Sequence, residues 1–208
     1  FGAQTLVKDI ITGIFILLEN SLAVGDYVSL GGHEGTVEAI SIRSIRLRDV
    51  RGTVYTIPFS AASTVTNETK DYSYFLAEVG VAYRENYEEV AEIMRDVGEE
   101  LRADSEYGPH ILEPTDIMGL DRFEDSAVIV RARLKTGPGQ QWSIKREYNR
   151  RLKAAFDARG IEMPFPHQTI YFGEDKEGNA PPAFVSLEGR KETAPAEPRA
   201  RDDDDERS

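Results

Sequence analysis

Cysteine is absent from the 208 residues of this chain. Its absence excludes thiol catalysis, disulfide bonds and thiolate metal sites, and is consistent with a reducing compartment. Histidine is scarce as well: His33, His110 and His167 lie far apart, and none has the spacing of a metal-binding motif. We therefore predict no metal site and no bound cofactor.

Motifs for nucleotide and acyl-transfer chemistry are also missing. The sequence contains no P-loop, no nucleophile-elbow serine and no kinase-type set of motifs. The glycine-rich stretch 31–35 joins two predicted strands, whereas a phosphate cradle needs a helix directly after its glycines. We predict a hairpin turn there. Because no convergent polar cluster stands out, we also predict that the chain is not an enzyme.

Positive charge and long hydrophobic runs are both limited. The formal net charge of -12 at pH 7 repels phosphate groups, so we predict no nucleic-acid partner. The apolar stretch 10–18 is too short to cross a hydrocarbon layer about 30 Å thick. The chain begins at Phe1, already inside an apolar helical pattern. We interpret it as a fragment or processed product that lacks an N-terminal part.

The first segment with a clear pattern covers residues 3–18. Its apolar residues recur at spacings of three, four and seven, which predicts a helix with a wide apolar face. Gly13 costs about 1 kcal/mol relative to alanine inside a helix and indicates close packing or a bend. Three placements remain open, which are the membrane interface, the continuation of an upstream span, and a buried core. The apolar residues are Leu6, Val7, Ile10, Ile11, Ile14, Phe15, Leu17 and Leu18.

Residues 24–66 change to a strand pattern. We predict strands at 27–30, 36–42, 44–48 and 53–57, with Pro58 ending the last of them. Ile45 and Leu47 alternate with Arg46 and Arg48, as expected for a half-buried strand. Short strands at this spacing predict a small β-barrel or sandwich.

Residues 76–172 alternate between strands and helices. Strands are predicted at 76–83, within 111–123, at 126–134 and at 168–172. Asn86 is positioned to cap one helix, with Glu89 as a capping-box partner, and Gly160 to end another. The order β-α-β-β-α-β is that of a ferredoxin-like unit, so the fold class is α+β. Residues 173–208 lose all periodicity and end in Asp202-Asp203-Asp204-Asp205-Glu206, which predicts a disordered acidic tail.

Four motifs in series carry a family resemblance. They are the opening residues 1–15; Val24-Gly25-Asp26-Tyr27-Val28 followed by 31–37; Arg46-Leu47-Arg48-Asp49 followed by Gly52 and Ile57-Pro58-Phe59-Ser60; and residues 161–168. Together they resemble the small-conductance mechanosensitive channel (MscS-like) family over about residues 1–172. Phe59-Ser60 departs from the family pattern, in which asparagine is common. The tail has no match.

The resemblance implies an organisation and a function. Residues 1–22 would be the C-terminal part of a pore-lining or interfacial helix, 23–68 a small Sm-like β-barrel domain, 69–172 a ferredoxin-like α/β domain, and 173–208 the tail. The subunit would form a homoheptamer in the plasma membrane, the bacterial inner membrane, with this part mostly cytoplasmic. Membrane tension would open the channel and release ions and small osmolytes on hypo-osmotic shock.

The resemblance also implies roles for particular residues. Phe1 matches an apolar constriction position and would be a gate residue. Gly13 matches a glycine at which the pore helix bends, whereas Thr5 stands at another position where glycine is frequent. The last predicted strand would pair with neighbouring subunits in a seven-stranded barrel on the symmetry axis. That strand consists of Gln168, Thr169, Ile170, Tyr171 and Phe172.

Two other hypotheses remain open. The chain could be a soluble β-barrel plus ferredoxin-like module for binding or scaffolding, including RNA binding, or a metabolic enzyme of ferredoxin-like type. The apolar opening helix and the acidic balance disfavour the module, and the missing site disfavours the enzyme.

Overall fold

The computed structural model describes residues 2–61 and 64–166. The chain opens with one helix, and a sheet-forming region follows it. A short 3-10 helix, Phe59–Ala61, separates the last two strands of that region. The elements are α1 (Gly2–Leu18), β1 (Tyr27–Leu30), β2 (His33–Ile40), β3 (Ser44–Arg48), β4 (Val54–Pro58) and β5 (Val65–Asn67).

The five strands form one antiparallel sheet in the order β4-β3-β2-β1-β5. The alternation predicted for β3 is confirmed, because Ile45 and Leu47 are fully buried while Arg46 and Arg48 are exposed. These side chains belong to one hydrophobic core that also includes residues of the neighbouring strands and the 3-10 helix. The core consists of Leu22, Val28, Leu30, Val37, Ile45, Leu47, Ile57 and Phe59.

The turn between β1 and β2 is shorter than the sequence predicted. Leu30 pairs directly with His33, so Gly31 and Gly32 alone make the turn, with φ angles of 58° and 80°. Positive φ at both central residues is the geometry that suits a two-residue hairpin, and glycine adopts it without strain. Residues 33–35 therefore belong to β2, which ends at Ile40 and not at residue 42.

The second half of the chain contains three strands and two helices: β6 (Ser73–Val81), α2 (Tyr87–Ala103), β7 (Asp116–Phe123), β8 (Val128–Thr136) and α3 (Gln141–Arg159). The strands form an antiparallel sheet in the order β6-β8-β7. The short strand expected within residues 111–123 has eight residues, and β6 begins three residues earlier than predicted.

Both predicted helices of this half are confirmed. The Asn86 side chain caps α2 by accepting from the backbone N–H of Glu88 at 2.8 Å, and Gly160 ends α3 with φ 71°. The two helices meet in a shared core, where the Tyr148 hydroxyl donates to the Met94 carbonyl at 2.9 Å. Burial of Tyr148 raises the pKa of its phenol. This hydrogen bond satisfies the buried hydroxyl and fixes α3 against α2.

A chain of ion pairs also joins α2 to α3. Arg151 Nη2 lies 2.6 Å from Asp104 Oδ2, and Arg151 Nε lies 2.8 Å from Glu147 Oε1. Arg150, with Arg151, lowers the pKa of Glu147 from 4.5 to about 2. Arg151 likewise holds the pKa of Asp104 below its ordinary value of 3.8. The ionised carboxylates are therefore the forms that the folded chain favours.

We expect Glu147→Gln to reduce the acid sensitivity of this half of the chain. A carboxyl with a lowered folded-state pKa contributes stability that is present above pH 4.5 and is lost as pH falls towards about 2. The melting temperature of the parent chain should therefore fall more steeply between those pH values than that of the variant. Melting curves with the same slope for both chains would contradict the role of Glu147.

Candidate functional site: the helix seat

Helix α1 contacts the five-stranded sheet through one narrow face. Asp9 is 6% exposed, Gly13 is buried and Ile16 packs against the core of that sheet. These residues are spaced by four and three, so they lie along one side of the helix. Their partners are Ile42, which follows β2, and the 3-10 helix Phe59–Ala61. We call the set Asp9, Gly13, Ile42, Phe59 and Ser60 the helix seat.

The carboxylate of Asp9 is the polar contact of the helix seat. Its Oδ1 accepts a hydrogen bond from the backbone N–H of Ser60. A buried carboxylate is costly unless it is hydrogen-bonded, and a partly buried backbone N–H is also more stable with an acceptor. Each group therefore satisfies the other. Sequence reasoning missed Asp9, although an acidic residue four positions before Gly13 in an apolar stretch was the available signal.

Gly13 is the steric contact of the helix seat. A Cβ atom at this position would lie 2.2 Å from the Ile42 carbonyl oxygen and 2.9 Å from Cε2 of Phe59. Both distances are shorter than real Cβ contacts, so any side chain would push α1 away from the sheet. Of the two readings of Gly13, the structure shows the close packing. α1 is helical throughout Gly2–Leu18, and the bend at Gly13 stays a prediction.

Six apolar side chains of α1 are exposed. Phe15 is 56% exposed and Val7 54%. This arrangement differs from a core helix, so the buried-core placement of α1 is wrong. An exposed apolar face of this extent is typical of a protein or membrane contact. The exposed apolar residues are Leu6, Val7, Ile11, Ile14, Phe15 and Leu18.

Two features, a membrane-spanning helix and a metal-binding cluster, are absent from the described residues. Within residues 2–61 and 64–166, helices that combine the length and apolar character of a membrane span were not found. In the same residues, no group of three or more histidine, aspartate or glutamate side chains could hold a metal ion. Phe1, His167 and the predicted strand 168–172 lie outside the described residues.

The outer face of the β6-β8-β7 sheet carries paired charges. Arg131, Arg133 and Lys135 project from β8, and each meets a carboxylate, namely Glu78, Asp116 and Glu113 respectively. Arg131, with Arg122, lowers the pKa of Glu78. Cations that are already paired offer little to a nucleic-acid phosphate. This face therefore gives no support to an RNA-binding reading.

Comparisons with known proteins match both halves of the chain to one class of protein. The description "Mechanosensitive ion channel, beta-domain" matches residues 5–70, and "Mechanosensitive ion channel MscS, C-terminal" matches residues 75–163. The small-conductance mechanosensitive channel of Caldanaerobacter subterraneus is 33% identical over 176 residues, which are 85% of this chain and 61% of that protein. The moderate conductance mechanosensitive channel YbiO of Escherichia coli is 34% identical over 164 residues, 79% of this chain and 22% of that protein.

A solved structure supports the fold. The crystal structure of Helicobacter pylori MscS in its closed state matches with a TM-score of 0.67 at 24% identity, over 84% of this chain and 68% of that chain. The chain belongs to the small-conductance mechanosensitive channel (MscS) family. It spans 61% of the length of the Caldanaerobacter relative and 22% of that of YbiO.

Proposed function

We propose that this chain is the C-terminal part of a subunit of a tension-gated membrane channel, which releases ions and small osmolytes on hypo-osmotic shock. The observation that carries the proposal is the helix seat. It fixes a helix with a wide exposed apolar face to a folded domain. The contacts are the Asp9–Ser60 hydrogen bond and the close packing of Gly13 against Ile42. A pore helix needs both features, because it must face lipid or neighbouring helices and yet stay attached to the domain that lies beneath the membrane.

The mechanism is an equilibrium between a closed and an open state. Membrane tension favours the state with the larger in-plane area, just as a ligand favours the state that it binds more tightly. When the pore helices separate, the helix seat would oblige each α1 to move together with its own five-stranded domain. Phe1 would contribute to the apolar constriction that closes the pore by dewetting, and Gly13 would mark the bend after which α1 follows the membrane interface.

We propose further that seven subunits assemble around one axis in the bacterial inner membrane, with most of this chain on the cytoplasmic side. The exposed face of α1 supports this assembly, because neighbouring subunits or lipid would cover it. The five-stranded domain would be Sm-like and the β6-β8-β7 domain ferredoxin-like. Residues 168–172 would supply one strand each to a seven-stranded barrel, in which every edge is paired by a neighbour.

A chimaera tests the function. This chain would replace the matching region of the Caldanaerobacter channel, and the product would be expressed in bacteria that lack their own mechanosensitive channels. We expect those cells to survive a sudden dilution that kills cells carrying the empty vector. The matched control is the same chimaera with its upstream transmembrane part removed. Survival no better than that of the control would contradict the proposal, provided that the chimaera is present in the membrane.

The mass of the assembly tests the heptamer separately. We expect light scattering of the detergent-solubilised chimaera to give seven times the subunit mass. Deletion of residues 168–172 should lower that mass or make it heterogeneous. A strictly monomeric chimaera would favour the alternative of a soluble β-barrel plus ferredoxin-like module.

A further inference from the structure

The end of α1 is held by side chains that come from much later in the chain. Asn20 follows the helix with φ 51°, and the Ser21 N–H reaches back to the Ile16 carbonyl at 3.3 Å, as in a Schellman motif. The carbonyls of Asn20 and Ser21 then accept from Lys70 Nζ at 2.8 Å and from Asn67 Nδ2 at 3.2 Å. Two residues of one short segment thus bind two consecutive carbonyls just beyond the helix.

Asn67 makes the central contact of this segment. Its Nδ2 also donates to Asp26 Oδ2 at 2.7 Å, and the same carboxylate oxygen accepts from the Ala23 N–H at 2.9 Å. Asn67 Oδ1 accepts from the Thr69 N–H at 3.1 Å. The carboxamide is therefore oriented from both ends, since its oxygen faces a donor and its nitrogen faces a carboxylate and a carbonyl. The loop that joins α1 to β1 has little freedom to move away from Asn67.

The same segment leads directly into the α/β half of the chain. Thr69, 3% exposed, accepts from the Tyr27 N–H through its Oγ1 at 2.8 Å. The Ser73 hydroxyl, on the first residue of β6, donates to the Glu68 carbonyl at 2.8 Å. Only Asp71 and Tyr72 separate Lys70 from β6, and the Tyr72 N–H is bonded to the Lys70 carbonyl at 2.7 Å. A connection of two residues cannot lengthen enough to absorb a displacement of β6, so such a displacement would also move Lys70.

We propose that residues 67–70, which we call the strap, position the end of α1 and transmit movement of the α/β domain to it, with Asn67 and Lys70 as the positioning residues. This inference rests on the proposed function, because α1 matters as a pore helix only in a channel. The helix seat holds the middle of α1 on the sheet, whereas the strap holds its C-terminal end on the junction between the domains. The two contacts share no residue, so they can be tested separately.

Hydrogen exchange measures how strongly the strap protects the amides at the end of α1. In the chimaera described above, Asn67→Asp removes both Nδ2 donors and places a second carboxylate beside Asp26. We expect amides of residues 14–21 to exchange about tenfold faster, because the hydrogen bonds to the Ser21 carbonyl and to the Asp26 carboxylate are both lost. Lys70→Met keeps the aliphatic stem and removes only the donor, so we expect about threefold. The control Lys153→Met loses an ion pair with Asp157 on α3 and should leave these amides unchanged.

Ser73→Ala tests the transmission. This change removes the hydroxyl that ties β6 to Glu68, and it touches neither α1 nor the loop after it. We expect exchange at residues 14–21 to rise about threefold if β6 acts on α1 through the strap. We also expect the tension at half-maximal opening of the chimaera to shift in Asn67→Asp and Ser73→Ala but not in Lys153→Met.

The outcomes separate the inference from the function. Unchanged α1 exchange in both Asn67→Asp and Lys70→Met would overturn the positioning role. Faster exchange in those two, with no effect of Ser73→Ala on exchange or on opening tension, would overturn the transmission. A chimaera that never opens under tension would contradict the proposed function, while the exchange measurements would still decide whether the strap positions α1.

Discussion

Replacing Gly13 with alanine is expected to loosen α1 from the five-stranded sheet, although the change favours an isolated helix. Alanine is about 1 kcal/mol better than glycine inside a helix. The new methyl group would, however, lie 2.2 Å from the Ile42 carbonyl oxygen and would force the helix and the loop apart. Overpacking of this kind costs about 1–3 kcal/mol. We therefore expect a net loss of α1 protection, and a larger loss for Gly13→Val.

Hydrogen exchange of α1 amides measures this effect locally. Thr12→Ala is the matched control, because it changes the neighbouring, half-exposed residue of the same helix and should shift local stability by no more than about 0.5 kcal/mol. Slower exchange in Gly13→Ala would mean that helix propensity outweighs the contact. The helix seat would then be wrong at Gly13, and the bend would be left as the reason for glycine there.

Asp9→Ala is expected to destabilise the same contact by loss of an acceptor. The substitution leaves the partly buried Ser60 N–H without its acceptor, and the loss of such a hydrogen bond costs about 1 kcal/mol. Asp9→Asn retains a side-chain oxygen that can accept the same hydrogen bond. We therefore expect α1 protection to decrease in the order parent, Asp9→Asn, Asp9→Ala.

The conservative variant identifies the cause. Equal protection in the parent and Asp9→Ala would show that the Asp9–Ser60 hydrogen bond does not hold the helix. Equal losses in Asp9→Asn and Asp9→Ala would assign the effect to charge and not to the acceptor geometry. Because Asp9 and Gly13 meet the same 3-10 helix, we expect the double variant to lose less than the sum of the single variants.

Elements with a local signature could be predicted from the sequence. Helix α2 was predictable from its cap at Asn86 and from an apolar face that includes Met94. Helix α3 was predictable from its left-handed end at Gly160 and from an apolar face that includes Tyr148. Each of these signals acts within one or two helical turns. The alternation around Ile45 likewise defines β3. These signals depend on the spacing of apolar residues and on the residues at helix ends, both of which can be read from the sequence directly.

Features that depend on distant parts of the chain could not be predicted in the same way. Asp9 and Ser60 are separated by 51 positions in the sequence, and no residue near Asp9 indicates that Ser60 is its partner. Gly13 allowed two readings, because a close approach and a bend both favour glycine. Two glycines were enough for the turn before His33, whereas the sequence pattern suggested five residues. Strand pairing decided that boundary.

The helix seat and the strap together describe how α1 would be coupled to the rest of the subunit. The helix seat fixes the position of α1 on the five-stranded sheet through one hydrogen bond and one close packing contact. The strap fixes its C-terminal end to the junction that leads into β6. In the proposed channel, this arrangement would make α1 change state together with the sheets that follow it.

Patch-clamp recording of the chimaera under graded suction tests the central claim most directly. We predict stepwise currents whose open probability rises steeply with membrane tension, and a midpoint tension that changes in Gly13→Val but not in Thr12→Ala. Membranes that contain the assembled chimaera and show no current up to the lytic tension would contradict the assignment of this chain to a tension-gated channel.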